Sequence, residues 1–179
     1  MDEREVSTFT EFHDVIEETQ GKQKTIYRGL SDVNYELKSS IGRCKPYGKK
    51  SHKSMERRML MLFKESAVPF LPSKPVNDWE WLALAQHYGL PTRLLDWTRN
   101  PLVAAYFSVK KESSEPSVIY VLREKKQPLV NVETQPSPRE VSGTPLRYIP
   151  GHVTERIIAQ DGLFTFIPKS PVNLIYQII

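Results

Sequence analysis

The sequence predicts an α+β fold: a single domain in which a mixed or antiparallel sheet carries flanking helices. Three observations point there. Helix-like and strand-like segments follow one another without the regular strand–helix–strand alternation of a parallel sheet. Several helices announce their own starts with capping residues. Near the end, Asp161-Gly162 joins two apolar runs, the short-range signature of a hairpin.

The elements follow in order. Thr8 and Glu11 have capping-box spacing, Phe9, Phe12, Val15 and Ile16 recur on one face, and Gly21 supplies a stop, so residues 1–21 form an N-terminal helix packed on a domain of residues 22–179. "KTIYRGL" is a strand running into a glycine turn, and residues 31–50 have no regular pattern. A second helix spans Lys53 to Ser66 with Met55, Met59, Leu62 and Phe63 inward, before the proline-broken "VPFLPSKPV". Asn77 and Glu80 again have capping spacing. Trp81, Leu84, Ala85 and Tyr88 share a face, and Gly89 and Pro91 end the third helix. "TRLLDW" is a strand. Asn100 caps and Pro101 opens a fourth, mostly buried helix, "PLVAAYFSV". "SVIYVLR" is a strand. Residues 125–150, rich in Pro, Ser and Glu, are an irregular excursion. "RIIAQDGLFTFIP" is the hairpin, and "NLIYQII" is a last strand.

Composition narrows the class. The 179 residues are 39% hydrophobic and 26% charged, as in a globular chain with a real core. No apolar run approaches the roughly 18 residues that span a bilayer, and the acidic start "MDEREVSTFTEF" lacks the apolar region of a signal peptide. Cys44, the sole cysteine, makes neither an internal disulfide nor a zinc site, and the four histidines are scattered. These features predict a cytoplasmic protein that needs no membrane and no metal. The net charge of +4 is concentrated: "RCKPYGKKSHKSMERR", Arg43 to Arg58, holds seven Lys/Arg and one Glu, while the other residues hold 18 basic and 20 acidic groups. Such a segment is either a solvated loop and helix face or a surface for nucleic acid, a nucleotide or an anionic protein.

The chemistry-bearing candidates sit where the core is being built. Along "TRLLDWT", Leu94, Asp96 and Thr98 face one way and Arg93, Leu95 and Trp97 the other. A carboxylate among Leu and Trp must be paired or hydrogen-bonded. Arg156 and Gln160 share a strand face with Ile158. In "YRGL", an Arg at a strand end places a guanidinium at the sheet rim, suited to phosphate or carboxylate. Phosphate-binding Gly-rich loops, metal-ligand spacings and the Gly-x-Ser-x-Gly elbow are all missing from the sequence.

"YRGL", then "QHYGLPTRLLDWTRNPLVAAYFSV", then "IPGHVTERIIAQDGLFTF" resemble in order the motifs of the FRG domain, a family named for its F/Y-R-G tripeptide, here Tyr27-Arg28-Gly29. The resemblance covers about residues 22–168 and weakens across the basic segment and across Lys125 to Arg147. Domains of this family usually run on into a further helical stretch, so the resemblance implies either a minimal or a shortened version. It also implies a bacterial origin, often on mobile elements, and a role as a toxin or in phage conflict. Its recurring polar set corresponds to Arg28, Gln86, His87, Arg93, Asp96, Thr98, Arg156 and Gln160.

Two functions are compatible with this set. The early Tyr-Arg-Gly strand is similar to the first motif of arginine-type ADP-ribosyltransferases, which implies a distantly similar fold and NAD as substrate. Tyr27, Arg28, Gln86, Arg93, Thr98 and Arg156 would then bind the nucleotide, with Arg28 on the pyrophosphate. His87, Asp96 and Gln160 would be catalytic, with His87 and Asp96 as an acid/base pair. Residue 160 departs from that pattern, because Gln cannot act as a base where those enzymes place Glu. The alternative is a non-catalytic module that binds nucleic acid or a partner protein through Arg43–Arg58.

Overall fold

The structure, a computed structural model, describes residues 3–20, 24–46, 48–49, 51–123, 127–151, 161–168 and 177–178. Among these are four α-helices: α1 (Phe9–Gln20), α2 (His52–Ala67), α3 (Asp78–His87) and α4 (Pro101–Val109). Six strands, β1 (Thr25–Leu30), β2 (Leu94–Thr98), β3 (Val118–Arg123), β4 (Leu146–Tyr148), β5 (Gly162–Phe166) and β6 (Gln177–Ile178), form one sheet in the order β4-β5-β2-β1-β3-β6. Every neighbouring pair is antiparallel, so the α+β expectation stands and its "mixed or antiparallel" alternative resolves to antiparallel. No helix among the described residues is long and apolar enough to cross a membrane.

The caps form as the sequence spells them. The Thr8 hydroxyl accepts the Glu11 N–H at 3.2 Å, while the Glu11 carboxylate accepts the N–H groups of Ser7 and Thr8 at 2.7 and 3.0 Å. Those backbone donors, Ser7 first, hold Glu11 below the usual carboxylate range. The side-chain oxygens of Asn77 and Asn100 accept the N–H groups of Glu80 and Leu102, each at 2.9 Å.

Alternation along the strands splits the core in two. Tyr27, Leu94, Phe164 and Phe166 face the helices. Trp79 and Leu82 of α3 and Leu60 of α2 pack on the β2–β4–β5 half; Phe12 and Ile16 of α1 and Ala104 of α4 pack on the β1–β3 half. Ile26, Leu95, Trp97, Tyr120, Leu122 and Leu163 make a second cluster on the opposite face, with Leu37 from the irregular 31–40 stretch against it.

Three readings change. On α2 the buried residues are Glu56 and Leu60, and Leu62 is exposed, so the helix is rotated from the expected face. The cause is Glu56, which turns inward to a charged partner. On α4 only Ala104 and Ser108 are buried. Leu102, Tyr106 and Val109 are exposed, because the helix lies over a single strand and turns its other side outward. Tyr88 of the third-helix stripe is likewise exposed, since α3 closes before it. The 125–150 excursion holds β4, too short at three residues to show alternation in sequence. It is fastened to α3: the Trp79 indole N–H donates to the Gln135 carbonyl at 2.7 Å, and the Ser137 hydroxyl donates to Asp78 at 2.7 Å. Asp161 carries the positive φ, 43°, of the expected turn into β5, whereas the hairpin's first arm lies outside the described residues.

Strand β1 lies between β2 and β3, and α4 connects those two by crossing over it. The crossing is close. A Cβ placed on Gly29 would lie 1.9 Å from the Ala104 carbonyl oxygen and 2.7 Å from the Ser108 nitrogen. Only a residue without a side chain fits there. Gly29→Ala should therefore push α4 off the sheet and cost about 3 kcal/mol or more, the upper range for overpacking. Gly89→Ala meets open space and bears only the strain of φ +87°, roughly 1–2 kcal/mol. Urea denaturation of both variants should give that ordering.

Candidate functional site

The β1–β2 seam is where the sheet gives way. Strands β1 and β3 pair along six positions, but β1 and β2 pair only at Tyr27 and Thr98. Beyond that point the seam carries no further register pair. A concavity of about 510 Å³ lies along this part of the fold, bounded by the ends of α3 and α4 and by the turn after β1. Its size suits a nucleotide-scale ligand.

Arg28 fills the seam. Its Nη1 donates to the Asp96 main-chain carbonyl at 2.7 Å, a bond that stands in for a missing ladder hydrogen bond, and lies 3.5 Å from the Asp96 carboxylate. The side chain is only 15% exposed, and its Nε is buried without a hydrogen-bond partner among the described residues. The rim position expected from sequence is thus corrected: the open seam lets the side chain fold into the sheet. Burial pulls the Arg28 pKa below its ordinary value. Asp96 opposes that shift, and the like charge of Arg43 adds to it.

Asp96 is held from two elements. The Gln86 amide of α3 donates to Oδ1 at 2.6 Å, and Arg28 approaches Oδ2. Gln86 is held in turn, its amide oxygen accepting the hydroxyl of buried Thr92. Thr92 is fixed by the Ser40 hydroxyl, which accepts its N–H at 2.9 Å.

Tyr27, Arg28, Gln86, His87, Asp96 and Thr98 therefore border one cavity although the chain separates them widely. Tyr27 directs its ring to the helix side, its hydroxyl 3.4 Å from that of Thr19. The Thr98 hydroxyl accepts the Asn100 N–H at 3.0 Å. Helix α3 does fold back beside β2, but the residue that bonds Asp96 is Gln86. No hydrogen bond or ion pair joins His87 to Asp96 among the described residues, since α3 turns His87 toward Tyr88 instead. Arg156 and Gln160 lie outside the described residues.

Arg93 is elsewhere. Its Nη2 and Nε contact the buried Glu56 carboxylate at 2.6 and 2.7 Å, its backbone N–H donates to the same carboxylate at 2.6 Å, and its guanidinium lies over the Phe166 ring. The place expected for it in the nucleotide site is corrected: it ties α2 to the start of β2.

Lys110, Lys111, Tyr35 and Phe107 also border the cavity and were not singled out from sequence. The two lysines directly follow α4, whose start the sequence does mark, so a basic pair at a helix end was the available signal. Among the described residues no group of His, Cys, Asp and Glu could hold a metal ion.

A sequence model of the FRG domain family matches residues 23–117, more than half of the chain. Comparisons with curated proteins and with solved structures gave no match.

Truncating one partner of a buried ion pair leaves the other charge stranded, which costs about 3–5 kcal/mol. Arg93→Met should lower stability by that amount, measured by urea denaturation. It should leave the cavity residues in place in the folded fraction, as judged by tyrosine and tryptophan spectra.

Proposed function

This chain belongs to the FRG domain family, and on that premise we propose that the cavity binds a phosphate-bearing nucleotide, with NAD the leading ligand. One observation carries the reading: a guanidinium only 15% exposed, with no acidic partner closer than 3.5 Å among the described residues, at the wall of a concavity of nucleotide size. The neighbouring charge of Arg43 disfavours the Arg28 cation, a cost that an anion seated beside both would relieve. Lys110 and Lys111 add positive charge at the edge, and the rings of Tyr35 and Phe107 offer faces to a base.

Catalysis, in this reading, is cleavage of the bond between nicotinamide and ribose. Nicotinamide leaves with the bonding electrons. The anchored Asp96 carboxylate faces the positive charge that develops on the sugar. Water or an acceptor adds at the same carbon, and its proton passes to His87 or Asp96. Gln160 would contribute hydrogen bonds rather than base strength. Loss of NAD would slow a host cell, the simplest route from this chemistry to a toxin or to phage conflict in bacteria.

Calorimetry with NAD is the test. The native chain should bind, and Arg28→Lys, which keeps the charge but loses the Nε fork, should bind about tenfold or more weakly. Equal affinity for both proteins would remove Arg28 from the ligand site. Liberation of nicotinamide, lost in Asp96→Asn, separates an enzyme from a binding protein.

A second reading, binding of nucleic acid, rests on a different observation. The only acid of the 43–58 segment, Glu56, is turned inward onto Arg93, so it offsets none of the charge outside. Arg43, Lys45, Lys49, Lys53, Arg57 and Arg58 are exposed, and none has an acidic ion-pair partner among the described residues. Affinity for duplex DNA should fall with salt at a log–log slope near −0.9 per phosphate contact. Changing Lys45, Lys49, Lys53 and Arg57 to Ser should remove most of the binding. Equal, salt-insensitive binding by both proteins would leave the segment a solvated face.

A further inference from the structure

We propose that Asp96 reads the 2′,3′-hydroxyl pair of a ribose whose 5′-phosphate lies on Arg28, making the cavity selective for ribonucleotides over 2′-deoxyribonucleotides. This rests on the nucleotide reading above and names the feature of the ligand that the site selects.

The argument starts from a chain of hydrogen bonds with one polarity. The Leu94 N–H donates to the Thr92 hydroxyl oxygen at 3.1 Å. The Thr92 hydroxyl proton goes to the Gln86 amide oxygen, which has nothing to donate. That contact fixes the amide, so its NH2 faces Asp96 and donates to Oδ1 at 2.6 Å. The reversed amide would set an oxygen against a carboxylate. Arg28 approaches the other oxygen, Oδ2, at 3.5 Å. Among the described residues Asp96 therefore meets only donors and stands as an oriented acceptor.

The carboxylate is not used up. Its side chain is 62% exposed and borders the cavity. Each oxygen has accepted one protein donor and keeps capacity for another. Two adjacent acceptors match two adjacent hydroxyl donors, the way an acidic side chain receives a ribose 2′-hydroxyl in nucleotide sites. A phosphate cannot take that place, because like charges would meet, and the cation beside it, the Arg28 guanidinium at the cavity wall, takes the phosphate instead. The two groups are close enough that one ligand unit must supply both a phosphate and a diol. A ribose 5′-phosphate does so: in NAD the unit beside Asp96 is the nicotinamide-bearing ribose, and ADP offers its single ribose 5′-phosphate to the same place.

Calorimetry with ADP and 2′-deoxy-ADP tests the proposal, on the native chain and on Asp96→Asn, Thr92→Val and Thr92→Ser, with circular dichroism to establish folding. The native chain should prefer ADP by about tenfold or more, the scale of a hydrogen bond to a charged group. Asp96→Asn should reduce that preference to a few-fold at most. Thr92→Val, which releases the Gln86 amide, should lose part of it, and Thr92→Ser should restore it. A purely structural Asp96 would lower both affinities equally and leave the ratio unchanged, overturning the proposal. Equal binding of ADP and 2′-deoxy-ADP by the native chain overturns it as well, while the nucleotide reading survives. If the native chain binds neither of them nor NAD, the nucleotide reading falls and takes this one with it.

Discussion

The close crossing of α4 over β1 at Gly29 sets the geometry on which the site depends. With no side chain between them, the backbone of Ala104 and Ser108 comes against the strand itself. The crossover from β2 to β3 is thereby drawn down onto the sheet, and the residues at the end of α4, Phe107, Lys110 and Lys111, border the same cavity as Arg28. A methyl group at position 29 would lift that wall. The glycine of the Tyr27-Arg28-Gly29 tripeptide serves packing, while the arginine beside it serves the cavity. The open seam between β1 and β2, rather than strand alternation, lets Arg28 reach Asp96 there.

Two arginines separated by 65 positions divide the labour of charge. Arg93 is spent inside the fold: Glu56 and the Phe166 ring take up its guanidinium, and the pair fixes how α2 lies on the sheet. Arg28 is also buried, with one bond to a carbonyl and a longer approach to a carboxylate, and among the described residues its Nε, like the Nη1 of Arg93, has no hydrogen-bond partner. Burial of a charge without full pairing is costly, and such sites are where ligands are held. The same inward turn of Glu56 takes the one carboxylate of the 43–58 segment away from a surface on which Arg43, Lys45, Lys49, Lys53, Arg57 and Arg58 are exposed.

The antiparallel sheet is weakest where the cavity is richest. Between β1 and β2 the pairing stops after one position, and a side chain takes over the carbonyl that a neighbouring strand would have bonded. Four polar residues of "QHYGLPTRLLDWT" fall into two networks. Gln86, Thr92 and Asp96 serve the seam, and Arg93 serves the core. Arg93 meets Glu56 of α2 just before β2 begins, and the turn after α3 brings Gln86 back to Asp96 within the strand.

By itself the sequence determined the α+β class, the starts of α1, α3 and α4, the turn at Asp161 and the family, because capping, periodicity and turn chemistry act within a few residues of one another. Through the family resemblance it also marked Arg28, Gln86, His87, Arg93, Asp96, Thr98, Arg156 and Gln160 as a set, of which the structure brings Arg28, Gln86, His87, Asp96 and Thr98 to one cavity and leaves Arg93 in the core. Only the tertiary structure decided where each lies and what it touches. Whether an arginine lies in a cavity or in the core depends on which distant carboxylate meets it. For Arg93 that group is Glu56, which helical periodicity counts as a polar, outward residue and which therefore misdirected the face assigned to α2. The order of strands, the gap between β1 and β2, and the lysines after α4 arise from pairings between segments far apart in the chain, and local patterns carry no record of those.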